Sequence, residues 1–218
     1  MSAAPTRVYL LRHGEVDPAW NGRIYGALDV PLSAAGEREA RRAAERLAGI
    51  ELASVVSSGL ARTEFGAALL RAPRGLSRCD DRELRELERG AWAGLSLAEL
   101  EAREPGAFAR WCAAPARQRS PGGESLVDLW ARVEPRFEHW VARHAGTALA
   151  LVVHGWVVRV ILCRVLGLEL DHAARLDVRT GDLFALTRQA DGRFELDGFA
   201  CDAVPAPRTR PVRSQLSE

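Results

Sequence analysis

The chain contains no lysine, and all 30 of its basic residues are arginine. Schiff-base chemistry at a lysine amine and the Walker-type nucleotide loop, which needs a lysine, are therefore excluded. The sequence also lacks a Gly-x-Gly-x-x-Gly segment after a strand, so nothing supports a dinucleotide-binding fold. A bias in genome composition would explain the exclusive use of arginine, and arginine also suits bidentate contacts with oxyanions.

Cysteine is scarce, and the four cysteines form neither a Cys-x-x-Cys pair nor the spacing of a metal site. A reduced, cytoplasmic location is therefore expected rather than a secreted one. The N-terminus lacks a basic region followed by a long apolar stretch, so no signal peptide is expected. No apolar run approaches the roughly 20 residues that span a bilayer. The four cysteines are Cys79, Cys112, Cys163 and Cys201.

Excess charge of either sign is also missing, since the formal net charge is +1. No general attraction to nucleic acid or to a membrane surface is expected, and affinity for anions has to come from local clusters. A length of 218 residues and a hydrophobic content of 47% fit one packed domain. We predict a domain over residues 1–203 and a disordered Pro- and Arg-containing tail over residues 204–218.

Three short apolar runs predict strands buried in the core of an α/β fold. They are Val8–Leu11, residues 54–56, and Ala148–Val153. Continuous apolar runs are typical of parallel strands covered on both faces, and a helical pattern follows each of them. We therefore expect three parallel strands in one sheet.

Each run ends in residues that suit anion binding or catalysis. Arg12, His13 and Gly14 follow the first run, Arg62 follows the second, and His154 follows the third. Because ligands in open α/β sheets bind outside the carboxyl ends of the strands, we expect these cations and imidazoles to converge. Glycine after the first pair allows a sharp turn or close approach to a ligand. The residues after the first run alone would fit a strand end exposed to solvent as well as they fit a functional site. Three strand ends with the same chemistry favour a functional site.

Four segments together resemble the histidine phosphatase superfamily, which has the phosphoglycerate mutase-like fold. They are Arg-His-Gly-Glu (12–15), Ser-Ser-Gly-Leu-Ala-Arg-Thr (57–63), Leu-Arg-Glu-Leu-Glu-Arg-Gly-Ala-Trp-Ala-Gly (84–94) and Val-Val-His-Gly (152–155). The matching order and spacing extend over about residues 7–187, which is nearly the whole chain apart from its tail. The resemblance implies a three-layer α/β/α fold with a mostly parallel central sheet. Residues 29–33 and 121–125 are most similar to the α-ribazole phosphatase branch.

The resemblance implies a metal-independent phosphatase without a cofactor, which hydrolyses a small-molecule phosphomonoester through a phosphohistidine. One candidate substrate is α-ribazole 5′-phosphate. His13 is the implied nucleophile, Arg12, Arg62 and His154 form the implied phosphate cradle, and Glu86 is the implied proton donor. Nucleic acid and membranes are not expected partners.

The chemistry sets requirements on two of these side chains. His13 attacks phosphorus only as the neutral imidazole, and neighbouring arginine charges favour that form by lowering its pKa. Its other ring nitrogen should donate to a backbone carbonyl and so fix the tautomer. The acid has to hold a proton when the alcohol leaves, which burial favours and nearby cations oppose. From the residues alone, Glu83, Glu86 and Glu88 are equally acceptable as this acid.

The predicted substrate contacts come from the segments that follow the first and third strands. Residues 16–31 form a loop rich in turn residues, placed to cover a substrate. Plain turn chemistry explains its polar residues equally well. Trp156 stands where the family commonly has a second glycine or a small residue; it either narrows the site, offers a stacking surface or points into the core. The predicted substrate-binding residues are Gly14, Asn21, Arg23, Tyr25, Gly155 and Trp156.

Two other positions depart from the family pattern. The asparagine that the family often has six residues after its first histidine is Ala19 here, so its role does not transfer to Asn21. Ala93 replaces the glutamate of a Trp-Glu-Gly sequence, and any role of that glutamate is lost.

Two alternative functions remain open from the sequence. A phosphoglycerate mutase shares the chemistry up to the phosphohistidine, but this chain lacks the extra length of the larger lids that mutases of the family carry. A catalytically weak phosphate-binding protein on the same fold is the other alternative. The complete set of Arg12, His13, Arg62, Glu86 and His154 argues against it.

Overall fold

The computed structural model describes residues 4–197 of the chain. The predicted tail, 204–218, and the last residues of the predicted domain, 198–203, lie outside the described residues. The strands are β1 (Thr6–Arg12), β2 (Ser54–Ser57), β3 (Ala148–Val153), β4 (Leu183–Arg188) and β5 (Phe194–Asp197). The α-helices are α1 (Ala34–Arg46), α2 (Ala61–Arg71), α3 (Leu97–Arg103), α4 (Ala107–Ala113), α5 (Leu126–Arg143) and α6 (Gly155–Leu166).

The five strands form one mixed sheet in the order β2-β3-β1-β4-β5. The three strands that precede the predicted site residues are parallel, with β3 between β2 and β1. The last two strands are antiparallel, β4 to β1 and β5 to β4. A short turn at Gly192, whose φ is +83°, joins β4 to β5, and so tight a connection requires an antiparallel pair. The α/β fold with its three parallel strands is therefore confirmed, and two antiparallel strands complete the mixed sheet at one edge.

Helices cover both faces of the sheet, as the three-layer prediction requires. Alternate residues of β1 face opposite cores because successive side chains of a strand point to opposite faces. Val8 and Leu10 belong to a large apolar cluster with residues of α5 and α6. Tyr9 and Leu11 belong to a smaller cluster with residues of α1 and α2. Among residues 4–197, no helix is long and apolar enough to span a bilayer.

A glycine pair brings α1 against the end of β1. A Cβ atom at Gly14 would lie 2.1 Å from the carbonyl oxygen of Gly36, and a Cβ at Gly36 would lie 2.0 Å from the carbonyl oxygen of Glu15. Gly14 thus permits a close approach to the backbone of α1, and its contact with a ligand stays a prediction. Ser33 caps α1, as its side chain accepts from the Gly36 amide at 3.0 Å.

Candidate active site

The adjacent ends of β1 and β3 bring two buried imidazoles together. The backbone amide of His13 donates to the carbonyl of Val153 at 3.0 Å, which continues the pairing of the two strands by one residue. The ring centres of His13 and His154 lie 5.1 Å apart. Only 2% of His13 and none of His154 is exposed. The convergence predicted for these strand ends is therefore found.

The ring of His13 is held in one tautomer with one free nitrogen. Its Nδ1 lies 2.7 Å from the carbonyl oxygen of Gly14, and because a carbonyl only accepts, Nδ1 donates. Its Nε2 is buried without a partner among residues 4–197. Burial first, then the charges of Arg62 and Arg12, lower the pKa of His13 well below 6.5. His13 is therefore a neutral imidazole with an unshared electron pair on Nε2.

Arg62, in the first turn of α2, is almost completely buried, with 1% exposed. Its guanidinium donates to the carbonyls of Gly26 at 2.8 Å and Leu28 at 2.6 Å. Its Cζ lies 5.4 Å from the ring centre of Tyr25. Its Nε has no partner in the described part of the chain. The loop of residues 16–31 thus fixes the second cation and leaves one donor free.

Arg12 is joined by a third guanidinium that our sequence analysis does not identify. Arg12 donates to the carbonyl of Val178 at 2.7 Å, and Arg159 of α6 donates to the carbonyl of Leu176 at 3.2 Å. A Cβ at Gly155 would lie 3.0 Å from Arg159 and 3.3 Å from Cζ of Arg12, so a glycine lets both groups approach. Burial, followed by the charge of Arg12, lowers the pKa of Arg159 to about 10. The arginine cluster leaves the Arg12 Nε without a partner within residues 4–197.

A chain of hydroxyl groups fixes the tautomer of His154. Thr63 donates its hydroxyl hydrogen to the carbonyl of Leu60 at 2.8 Å, so it accepts from Ser58, whose oxygen lies 2.9 Å away. Ser58 in turn accepts from Nε2 of His154 at 2.7 Å. The Nδ1 of His154 is therefore left with an electron pair and is buried without a partner among the described residues. Neither hydroxyl was identified from the sequence.

Removal of the Ser58 hydroxyl should slow catalysis by releasing the His154 ring. In Ser58→Ala the buried Nε2–H loses its acceptor, and restoring a partner favours the other tautomer or rotation of the ring. We expect kcat to fall by about tenfold or more, which corresponds to the free energy of one charged or buried hydrogen bond. Steady-state kinetics and the histidine resonances in an NMR spectrum measure the rate and the tautomer.

Ser57→Ala is the matched control for this prediction. Ser57 is also buried, but its hydroxyl contacts Glu64 at 3.0 Å and Asp80 at 2.5 Å, not a histidine. This variant should lose stability while keeping kcat. Equal losses of kcat in the two variants would show that Ser58 acts only through the stability of the loop.

Glu86 is the buried member of the three candidate acids. It is 7% exposed, and its carboxylate accepts from the amides of Leu87 at 2.9 Å and Trp156 at 3.2 Å. Glu83 and Glu88 are exposed to solvent. The amide of Trp156 belongs to the first turn of α6, so the N-terminus of this helix positions the carboxyl group. The structure thus separates one glutamate from the two that the residues alone leave open.

A cation from α5 holds the loop that carries Glu86. Arg132 donates to the carbonyls of Glu83, Arg85 and Glu86 at 2.6, 2.8 and 3.0 Å. Its Nε forms an ion pair with Glu124 at 2.7 Å. Because three carbonyls of one irregular segment share a single guanidinium, the position of Glu86 depends on a helix and not on the loop alone.

The predicted substrate-binding residues divide into two groups. Gly155 and Trp156 contact the site through Arg12 and Glu86, and Tyr25 contacts it through Arg62. Asn21 and Arg23 are exposed in the loop that follows β1. The guanidinium of Arg23 donates to the carbonyl of Gly94 and pairs with Glu99 at 3.0 Å, which ties the loop to α3. The structure brings neither Asn21 nor Arg23 to His13, and their contact with substrate stays a prediction.

The site is rich in hydrogen-bond donors and positive charge. Within residues 4–197, no group of three or more His, Cys, Asp or Glu side chains is placed to hold a metal ion. Free donors on Arg12 and Arg62 lie beside an unshared pair on each of His13 and His154. Such an arrangement can hold a tetrahedral oxyanion and present it to a nitrogen nucleophile.

Comparisons with known proteins agree with this geometry. The model of the histidine phosphatase superfamily (branch 1) matches residues 8–201. Phosphoserine phosphatase 1 of Hydrogenobacter thermophilus is 31% identical over 166 residues, which are 75% of this chain and 78% of that protein. A probable phosphoglycerate mutase of Salmonella choleraesuis is 33% identical over 175 residues, which are 79% of this chain and 80% of that protein.

Solved structures show the same similarity. A mycobacterial glucosyl-3-phosphoglycerate phosphatase is 33% identical, with a TM-score of 0.78 over 88% of this chain and 96% of that one. The α-ribazole phosphatase of Shigella flexneri is 23% identical, with a TM-score of 0.80 over 92% and 98% of the two chains, and so shares the fold. Fold, site and family model lead to one conclusion: the chain is a phosphatase-type enzyme and belongs to the histidine phosphatase superfamily, branch 1.

Proposed function

We propose that the protein hydrolyses a small-molecule phosphomonoester, without a metal ion, through a phosphohistidine at His13. The observation that carries this proposal is the free Nε2 of His13. A buried polar nitrogen without a partner costs free energy, and it occurs here on a ring whose other nitrogen is fixed and beside two guanidinium groups. An electrophile with negatively charged oxygens fits this arrangement.

The first half of the reaction transfers the phosphoryl group to the enzyme. Arg12 and Arg62 bind the phosphoryl oxygens, and Nδ1 of His154 accepts a hydrogen bond from an oxygen that carries a proton. The electron pair of Nε2 of His13 forms the bond to phosphorus as the bond from phosphorus to the ester oxygen breaks. Glu86 gives its proton to the departing oxygen, so the alcohol leaves in neutral form.

The second half releases phosphate. Glu86, now a carboxylate, accepts a proton from a water molecule whose oxygen attacks the phosphorus of phosphohistidine. The nitrogen–phosphorus bond breaks, and its electron pair returns to Nε2. The hydrogen bond from Nδ1 to the Gly14 carbonyl keeps the proton of the ring on the far nitrogen throughout.

The comparisons support several substrates. Phosphoserine, phosphoglycerate and glucosyl-3-phosphoglycerate are named for relatives at 31–33% identity. The α-ribazole 5′-phosphate that we predict is named for proteins that share the fold at lower identity. Transfer to a second hydroxyl of the substrate, as a mutase performs it, differs from hydrolysis only in the group that accepts the phosphoryl.

The proposal is tested with a panel of phosphomonoesters assayed in the presence of EDTA. Release of inorganic phosphate is measured for each ester, and the recovered ester is checked for a shifted phosphoryl group. We expect phosphate release that EDTA does not reduce. A shifted ester without free phosphate would establish the mutase, and binding of phosphate without turnover of any ester would establish a phosphate-binding protein.

The acid limb of the pH profile of kcat/KM should lie below pH 6.5. Because the pKa of His13 is lowered well below 6.5, protonation removes its electron pair only at more acidic pH. Arg12→Gln removes one of the charges that lower this pKa and should therefore shift the limb to higher pH. An acid limb of the unmodified enzyme at or above pH 6.5 would contradict the assignment.

Stability has to be measured over the same pH range. Below about pH 6.5 the histidines of the unfolded chain bind protons that buried His13 and His154 do not bind, since burial lowers the pKa of both. The folded state therefore becomes less stable as the pH falls. The folded fraction at each pH, from circular dichroism, separates this loss from the loss of the nucleophile.

A further inference from the structure

Arg89 carries a buried charge that the proposed reaction does not use. The residue is 7% exposed, and its Nη1 has no acceptor among residues 4–197. The guanidinium is instead placed against two indoles, with Cζ at 4.1 Å from a ring centre of Trp111 and 5.8 Å from one of Trp156. Cation–π contacts offset part of the cost of burial, but they give the N–H groups of Nη1 no acceptor. An acceptor from outside the described chain would satisfy them.

Within residues 4–197, Arg89 forms no ion pair with a neighbouring group. Burial raises the pKa of the Cys112 thiol, which therefore stays protonated beside Arg89. Glu86 contributes the largest attractive charge at Arg89, but its carboxylate already accepts from two backbone amides and forms no ion pair with Arg89. A cation that is buried without a paired anion is strongly unfavourable unless a ligand completes it.

The position of Arg89 lies between the cradle and the acid. Its side chain passes over Gly26, where a Cβ would lie 2.7 Å from Cγ of Arg89, and the Gly26 carbonyl holds Arg62. On its other side is Trp156, whose amide holds Glu86. In the proposed reaction the departing alcohol takes its proton from Glu86, and Glu86 is also the carboxyl group whose charge acts most strongly on Arg89.

A second free donor lies beside the first. The indole Nε1 of Trp111 is buried without an acceptor in the described residues, and the ring of Trp111 packs edge to face on Trp156 at 5.2 Å between centres. Two donors, Nη1 of Arg89 and Nε1 of Trp111, and apolar walls from the indoles suit a small planar anion with two oxygens. A carboxylate has this shape.

We propose that Arg89 and Trp111 form a second anion site, which binds a carboxylate on the alcohol part of the substrate. The enzyme would then act by preference on phosphate esters of small hydroxy acids. The inference rests on the proposed hydrolysis at His13, because the carboxylate is placed relative to the phosphoryl group through Glu86.

The test compares two esters that differ in one group. In 3-phosphoglycerate a carboxylate stands where glycerol 3-phosphate has a hydroxymethyl group. We expect kcat/KM of the unmodified enzyme to favour the acid by about 10- to 100-fold, as one charge-assisted hydrogen bond gives. A ratio near one would overturn the inference while leaving the hydrolase intact.

Arg89→Met removes the charge and keeps the length of the side chain. We expect the preference for the acid to fall to about one in this variant. Its melting temperature should not decrease, because an uncompensated buried charge has been removed. Arg82→Met is the matched control: Arg82 is an exposed arginine of the same segment, and this variant should keep both the preference and the rate. Arg89→Gln serves the same purpose if the methionine variant does not fold.

Two further outcomes decide between this inference and the proposed function. The first is that kcat/KM of Arg89→Met falls by the same factor for both esters, so that the preference for the acid is retained, while the melting temperature decreases. This result would show that Arg89 only supports the fold. If no ester is hydrolysed by any variant, the proposed function fails, and the same pair is then compared by the rise in melting temperature on binding. A larger rise with 3-phosphoglycerate than with glycerol 3-phosphate, lost in Arg89→Met, supports the anion site, and equal rises overturn it.

Discussion

Replacement of His13 by alanine should abolish turnover, with a loss of at least about 10⁴-fold in kcat, as removal of a nucleophile gives. The reason is structural, since Nε2 of His13 is buried without a partner among residues 4–197, beside Arg12 and Arg62, on a ring whose tautomer the Gly14 carbonyl fixes. The experiment measures phosphate release from p-nitrophenyl phosphate and the label left on the protein after a rapid quench with ³²P-labelled ester. The unmodified enzyme should carry a label that is stable in base and labile in acid.

His139→Ala is the matched control. His139 is an exposed histidine of α5 and contacts neither imidazole of the site. It should keep both the rate and the label. Turnover by His13→Ala at a rate near that of the unmodified enzyme would exclude His13 as nucleophile, and a label that moves to His154 would identify the ring that replaces it.

Glu86→Gln should reveal the acid through the leaving group. For an alkyl phosphate, whose alcohol needs a proton to depart, we expect kcat to fall by about 10²- to 10⁴-fold. For p-nitrophenyl phosphate, whose leaving group departs as an anion, the rate of phosphoryl transfer to the enzyme should fall much less. The rates for the two classes of ester, measured at one pH under saturating substrate, give the difference directly.

Glu83→Gln and Glu88→Gln supply the controls. Both residues lie in the same segment as Glu86 and are exposed. Their replacement by glutamine removes one negative charge, as in Glu86→Gln, but it removes no contact with the amide of Trp156. Neither should alter the dependence on the leaving group. If Glu86→Gln reduces both classes of ester by the same factor, Glu86 orients the substrate and another group is the proton donor.

The parts of the molecule that could be predicted are those with a strong local pattern. The apolar runs of β1 and β3 and the serine cap of α1 correspond to the observed elements. The orientation of β4 has no comparable signal in the sequence, because its antiparallel pairing with β1 joins segments that are far apart in the chain. The helix α4 has no strong local pattern either. The functional roles of the predicted site residues stay predictions that the variants test.

Two buried arginines lie outside what the sequence pattern predicts. Arg89 lies in a highly charged segment whose charges fit a solvated surface, so its burial against Trp111 depends on tertiary packing that the sequence does not display. Arg159 had a usable signal, since it is a lone cation inside the apolar run Val-Val-Arg-Val-Ile of α6. A charge in such a run has to reach an anion, a carbonyl or a ligand.

The place of β1 in the middle of the sheet constrains how related enzymes can diverge. Its register is fixed on both sides, by β3 at Arg12 and Val153 and by β4 at Leu11 and Leu183. Inserting or deleting one residue in this strand would turn every following side chain to the opposite face and exchange the places of cation and nucleophile. Length changes are tolerated only in the loops beyond the strand ends. New substrates can therefore arise by remodelling the alcohol end of the pocket, while the chemistry of the phosphoryl end is inherited unchanged.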